Sequence, residues 1–280
     1  MKIHAGYEIS YDCSQPTPMI LMLSVHPSRA ADLITPDRLR LTPAVPANAY
    51  CDGFGNLCHV IHAPKGRLQL AADFLINDSG VPDEVVPDAE QHALERLPVE
   101  TLVYLLGSRY CETDRFVQLA WSEFGKVGKG WTLIQAICDY VHEHVEFGYE
   151  HASPSKTAWL TYTEGRGVCR DFAHLAITLC RCMNVPARYC TGYLGDIGVP
   201  PEPDPMDFSA WFEVYLGDRW YTFDARHNTP RVGRILMARG RDATDVAITT
   251  SFGPNTLARF SVVTDEVPAQ DKARVLPGSM

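Results

Sequence analysis

The run Gly165-Arg166-Gly167-Val168-Cys169-Arg170-Asp171 sets a cysteine where a glycine-rich turn hands over to a helix. In the first turn of a helix, unpaired backbone N–H groups and the positive end of the dipole favour thiolate over thiol, which is how a cysteine becomes a nucleophile. Free cysteines are more often inert buried hydrophobes, so Cys169 needs partner groups to separate the two readings. Two later runs supply them. Asp207, Ser209, Trp211, Glu213 and Tyr215 alternate with Phe208, Ala210, Phe212, Val214 and Leu216, and a second run, Trp220 to Asp224, ends on a carboxylate. Alternation at period two puts the polar set on one strand face, suited to line a cleft. Asp207 and Trp211 are the substrate-contacting candidates on that face.

The elements that must position these groups are legible around them. Thr113 can open a helix carrying Phe116, Leu119 and Ala120 that Gly125 ends, and Trp131 to His144 carries Ile134, Ile137 and Val141 at helical spacing. A third helix begins near Val168, runs through Leu175, Leu179 and Met183, and stops at Asn184 before Pro186. Asp207 to Leu216 and Trp220 to Asp224 read as strands of a hairpin joined at Gly217-Asp218. Upstream the period is two. Ile3, Ala5, Tyr7, Ile9 and Tyr11 form one alternating set, and Leu68, Leu70, Ala72, Phe74 and Ile76 another, with the turn Asp52 to Asn56 between them. The expected organisation is therefore α+β: a β domain over 1–80, a linker over 81–98, a core of helices followed by antiparallel strands over 99–264, and a loose tail over 265–280.

The segments Gly167-Val168-Cys169-Arg170-Asp171-Phe172-Ala173-His174-Leu175, Ala210-Trp211-Phe212-Glu213-Val214-Tyr215 and Trp220-Tyr221-Thr222-Phe223-Asp224 together resemble the bacterial transglutaminase-like superfamily, in the same order and with matching spacing. The resemblance covers roughly 95–250, and the β-rich start is similar to the domain that often precedes this core in bacterial members. It implies an N-terminal antiparallel β-sandwich-like domain followed by a papain-like core of helices packed on an antiparallel sheet. It also implies cysteine protease or acyltransferase chemistry on a peptide or protein amide, without a cofactor or metal, with Cys169 as nucleophile and Asp224 as the acid that orients an imidazole.

The imidazole is the departure. The position that the family fills with histidine, directly before Ala210-Trp211, holds Ser209. A serine hydroxyl is no base near neutral pH and carries no charge to stabilise a thiolate. His174 lies five residues past Cys169, about 140° round the helix axis, and reads as a packed structural histidine. His227 lies three residues past Asp224, where strand parity puts it on the opposite face unless Asn228 and Pro230 mark a turn that brings it back. Asp207 and Asp224 without an imidazole would raise the thiol pKa, and Arg170 or Arg188 would have to offset them. Three functions stay open: a cysteine-dependent amide hydrolase or acyltransferase with a replacement base, a catalytically inactive binding module for a peptide or protein partner, and a scaffold whose β domain is the interaction surface. If Cys169 and Asp224 keep the family placement, Ser209→His should raise thiol reactivity.

Charge narrows the rest. Lys plus Arg number 25 against 34 Asp plus Glu, a net charge of −9, which disfavours nucleic acid or an anionic membrane as partner. The longest apolar run, Met19 to Leu23, is too short to cross a membrane, and the first residues carry no signal-peptide core, so a cytoplasmic location is expected. Nine cysteines in such a chain read as free thiols. His142-Glu143-His144 and Cys180-Arg181-Cys182 have i, i+2 spacing, which splits each pair between helix faces and makes no zinc site. Gly125 to Thr132 has phosphate-loop glycines but Trp131 where the lysine must stand. Arg231, Arg234, Arg239 and Arg241, interleaved with Asp242 and Asp245, read as a solvated or ion-paired face. Pro201 to Pro205 forms a loop that could border the cleft. Oligomeric state is left open.

Overall fold

The computed structural model describes residues 1–202 and 204–268. The chain begins with β1 (Lys2–Cys13), β2 (Thr17–Leu21), β3 (Arg40–Thr42), β4 (Ala47–Cys51), β5 (Leu57–Ala63) and β6 (Gly66–Asn77). Helices α1 (Thr113–Phe124) and α2 (Trp131–His144) follow, then β7 (Glu146–Phe147), α3 (Ala158–Glu164), β8 (Arg166–Gly167) and α4 (Cys169–Cys182). The chain then forms β9 (Ala187–Tyr193), β10 (Ser209–Leu216), β11 (Arg219–Phe223), β12 (Ile235–Gly240), β13 (Thr249–Ser251) and β14 (Asn255–Glu266).

Alternation writes the first unit. Ile3, Ala5, Tyr7, Ile9 and Tyr11 of β1 face Met19, Leu21, Ile61 and Ala63 of β2 and β5 in one core, so two antiparallel sheets pack face to face as a sandwich. Their orders are β14-β1-β6-β3 and β13-β2-β5-β4. The outer strands of both include segments from the far end of the chain. β14 pairs with β1 from Ile3↔Glu266 to Cys13↔Asn255, and β13 pairs with β2. This corrects the expected division of the chain: the second unit cannot run to 264, and Asp265 and Glu266 belong to a strand rather than a tail. The cause is topological, because the polar pattern of Asn255 to Glu266 suits a sheet edge with one face in water and gives no local sign of which strand it will join. The remainder of the expected tail, 269–280, lies outside the described residues.

The second unit is a sheet of order β11-β10-β9-β12 with helices on one face. Ala210, Phe212, Val214 and Leu216 of β10 pack against Phe172, Ala176 and Leu179 of α4 and against α1 and α2. The hairpin from β10 to β11 turns at Gly217 and Asp218, both with positive φ, 50° and 66°, as a two-residue turn requires. Strand β9 is buried along its whole length and shows no alternation, being covered on both faces. Its neighbour β12 comes so close at Gly192 that a Cβ there would meet the Ile235 carbonyl oxygen at 2.0 Å. Gly192→Ala should therefore cost at least about 1–3 kcal/mol, read as a lower midpoint in urea unfolding.

Among the described residues no helix is long and apolar enough to cross a membrane. The two units share packing. Tyr193, Phe208 and Ile235 of the second enter the sandwich core, where Phe208 stacks edge-on against Tyr7 and Tyr193.

Candidate active site

Cys169 is held by a chain of local constraints. Helix α3 ends on Gly165 in the left-handed region at φ 64°. Its successors Arg166 and Gly167 then form a short parallel ladder with Glu146 and Phe147. Gly167 is obligatory, since a Cβ would meet Asp171 at 2.7 Å. The Asp171 carboxylate in turn accepts the Val168 N–H at 3.0 Å and fixes the entry into α4, so that Cys169 is the first helical residue. The thiol is half-buried against β10 and receives the Ala210 N–H.

The partner groups come from the turn after β11. Asp224 Oδ1 accepts the backbone N–H groups of Arg226, at 3.0 Å, and His227, at 3.1 Å, and the Asn228 N–H donates to the Asp224 carbonyl at 2.8 Å. This Asx turn, with Asn228 at φ 51°, reverses the chain and cancels the strand parity that would send His227 to the far face. His227 Nδ1 lies 2.8 Å from Asp224 Oδ2. Burial alone would push Asp224 up, but the Arg234 guanidinium, whose Nη2 is 2.9 Å from Oδ2, together with His227 holds it well below the usual carboxylate range. An ionised Asp224 has no proton to give, so Nδ1 is the donor, and a neutral ring keeps its lone pair on Nε2.

One narrow cleft of about 40 Å³ is lined by Cys169, His227, Ser209 and Asp207, with Tyr149 and Arg226 beside them. Asp204, Pro205 and Met206 of the proline loop also line it, and Glu202 of that loop pairs with Arg226 at 2.9 Å. The structure thus brings together Cys169, Asp224, His227, Ser209 and Asp207. Ser209 is 6% exposed and its hydroxyl has no hydrogen-bond partner, so it does not contact Asp224.

Trp211 is not part of this group. It packs with Cys190 and Leu236 on the sheet face turned away from α4, because side chains next to the one that meets the helix, Ala210 and Phe212, must point to the other side. The expected substrate contact at Trp211 is corrected accordingly. His174 is buried between Tyr110 and Tyr189, its Nε2 accepting the Ala243 N–H at 3.1 Å, and burial pushes it down to about 3.

Neither Arg170 nor Arg188 is the cation of the cleft. Arg170 reaches the Ser153 carbonyl and Asp171, and Arg188 pairs with Glu213 at 2.5 Å. That role falls to Arg226, a loop residue with no sequence signal of its own. His142 Nδ1 reinforces the same turn from α2, at 2.9 Å from the Arg226 carbonyl. Asp83, inside the expected linker, accepts from Arg234 Nε at 2.9 Å and from the Arg231 N–H at 3.0 Å. Of the two readings of the arginine cluster, the ion-paired one holds: Arg231 and Arg234 are buried, Arg234 against Asp83 and Asp224, and Arg241 pairs with Asp245.

Burial pushes the Cys169 thiol up to about 11; Arg226 and the Ala210 N–H pull it down, while Asp207 and Asp224 add to the rise. Cys169 is therefore a thiol at rest. Iodoacetamide at neutral pH should modify it on the order of a hundredfold more slowly than an unperturbed thiol, with the exposed Cys51 as internal comparison. Ser209→His should not speed that reaction, because Asp224 Oδ2 is already shared by His227 and Arg234; this reverses the expectation drawn from the family arrangement. A rate gain in peptide mapping would contradict it.

A cysteine at a helix N-terminus, opposite a sheet whose exit turn carries an aspartate–histidine pair, defines a transglutaminase-like core. Residues 117–225 match the family model of the transglutaminase-like superfamily. Over its whole length it is similar to the crystal structure of a "putative cysteine protease" from Cytophaga hutchinsonii, with 29% identity, a TM-score of 0.81, and coverage of 96% of this chain and 91% of that one. It is also 36% identical over 90 residues to an uncharacterized protein of Mycobacterium leprae. That match spans 29% of this chain and 30% of the relative's length. The periplasmic domain of TgpA from Pseudomonas aeruginosa is more distant, with 11% identity, coverage of 79% of this chain and 87% of that one, and a TM-score of 0.39.

Proposed function

We propose that this protein is a cysteine-dependent amide hydrolase or acyltransferase acting on a peptide or protein amide, with Cys169 as nucleophile, His227 as general base and Asp224 as the group that orients it. The observation that carries this reading is the 2.8 Å contact of His227 Nδ1 with Asp224, on a ring that lines the same cleft as Cys169. His227 Nε2 takes the thiol proton as sulfur attacks the carbonyl carbon, and returns it to the leaving amine. Water, or an acceptor amine in the acyltransferase variant, then releases the acyl group from sulfur. Backbone N–H groups in the first turn of α4 and on Ala210 are the donors available to a developing oxyanion. Arg226 supplies positive charge at the mouth.

The raised thiol favours a second reading, a cleft kept for binding a peptide partner without turnover. Exposure to p-nitrophenyl acetate separates the two. The hydrolase reading expects a burst of about one equivalent of p-nitrophenolate per chain and an acetyl group on Cys169 in peptide mass mapping, both absent in Cys169→Ala. No acetyl group on Cys169 in the wild-type chain sinks it and leaves the binding reading.

A further inference from the structure

Behind the β11-β10-β9-β12 sheet, on the face away from α4, lies an open cavity of about 310 Å³ lined by side chains of β10 and β12 and by the segments around Arg29 and Asp83. Trp211, 2% exposed, lines it. The carboxylates in its wall are engaged. Asp83 is bound by Arg234 Nε at 2.9 Å, Glu213 by Arg188 at 2.5 Å, and Asp78 is 3.5 Å from Arg29.

The guanidinium groups are not matched in return. The Arg234 side chain is 7% exposed and uses Nε on Asp83 and Nη2 on Asp224, which leaves Nη1 buried with no partner. Arg239 has no carboxylate within 4.0 Å among the described residues. Its side-chain neighbours within hydrogen-bond range are the His26 ring nitrogens at 3.4 Å and the Ser28 hydroxyl at 3.5 Å. Burial, with Arg239 beside it, pushes His26 down to about 4, so that ring adds no charge at neutral pH. A buried N–H donor without an acceptor is costly, and most costly on a charged group; the cavity wall holds one such donor, Arg234 Nη1, beside Arg239, whose guanidinium has no carboxylate partner among the described residues. The guanidinium of Arg234 sits 5.1 Å from the Trp211 ring centroid, which puts donor and ring within reach of one small molecule.

We propose that this cavity binds the oxyanion of a small phosphate- or carboxylate-bearing molecule, which accepts hydrogen bonds from Arg234 Nη1 and Arg239 while its organic part lies against Trp211. The volume is at the lower end of the range for small-ligand pockets. The site lies across the sheet from Cys169 and does not depend on catalysis there.

Isothermal titration with inorganic phosphate and, separately, with succinate, both at ionic strength matched with sodium chloride, tests the proposal. One saturable site is expected for at least one probe. Saturation by phosphate alone identifies a phosphate monoester as the ligand class, and by succinate alone a carboxylate. Arg239→Gln should weaken binding at least about tenfold, the loss expected for one charge-assisted hydrogen bond, while Arg67→Gln on the exposed edge of the β domain leaves it unchanged. Cys169→Ala should bind as the wild type does, so a failure of the hydrolase reading leaves this result intact. Should Arg239→Gln not fold, a rise in wild-type melting temperature with probe beyond that given by sodium chloride carries the same information. Absence of saturable binding by both probes overturns the proposal, as does unchanged affinity in folded Arg239→Gln.

Discussion

His227→Ala should slow acetylation of Cys169 by p-nitrophenyl acetate at least about a hundredfold, the lower end of what a positioned general base contributes. The size of the effect follows from the resting state of the thiol. With Cys169 pushed up to about 11, only on the order of one chain in ten thousand carries a thiolate at pH 7, so almost every productive encounter must lose the proton during attack. Among the residues lining the cleft, His227 is the imidazole. Asp207 also lines it and is the carboxylate closest to a substitute, but an ionised carboxylate is the weaker base and also opposes thiolate formation. Folding should be little changed in the variant, since Asp224 keeps Arg234 and its backbone donors. Thermal melting beside the kinetics checks this, and a lost fold would show there as an early transition.

Arg234→Met should be the most destabilising single change near the site, at about 3–5 kcal/mol, or a fall in melting temperature of roughly 10 °C. Removing the guanidinium leaves Asp224, 7% exposed, and the partly buried Asp83 without their shared counter-charge. Calorimetric or circular-dichroism melts of the two proteins at pH 7 measure the difference. The sign of the pH dependence follows from Asp224. Its carboxyl is held below the usual range in the folded chain, so the stability it contributes is fully present above the unfolded carboxylate pKa of about 4 and is lost as pH falls toward the folded value. The gap between wild type and Arg234→Met should therefore narrow below about pH 4. A gap that widens on acidification would show that Arg234 acts through something other than Asp224.

The parts of this molecule visible in the sequence are those written by local period. The apolar spacings of Thr113 to Phe124 and Trp131 to His144 delimit α1 and α2, Gly217-Asp218 marks the hairpin, and the three motif segments carry the resemblance to the transglutaminase-like superfamily and place Cys169 and Asp224 in the chain. What was not visible depends on contacts distant in sequence. Strand β9 has no alternation because both its faces are covered, and β14 joins β1 across about 250 residues, a pairing that no local pattern announces. His227 is legible as a candidate base through the turn residues Asn228 and Pro230, but its return to the cleft depends on contacts of Asp224. Strand parity is sound up to Phe223, and the ring returns to the cleft only because Asp224 uses one carboxylate oxygen to cap the turn and the other to hold the imidazole. The Asp-Ala-Arg-His-Asn string carried that signal as an Asx turn, with Asn at the residue of positive φ. Arg234 and Asp83 are drawn from a basic cluster and an acidic linker whose compositions suggest water, yet they meet in the interior 151 residues apart in sequence.

The rate of Cys169 acetylation as a function of pH, in wild type and His227→Ala side by side with the site confirmed by peptide mapping, addresses the central claim most directly. A base supplied by His227 predicts a wild-type rate that, well below pH 11, stands far above what the Cys169 thiolate fraction alone would give and does not climb in step with that fraction. In the variant the rate should fall to the level set by the thiolate and follow the rise of the thiol itself. Superimposable profiles for the two proteins would contradict the assignment of His227 as the base for Cys169.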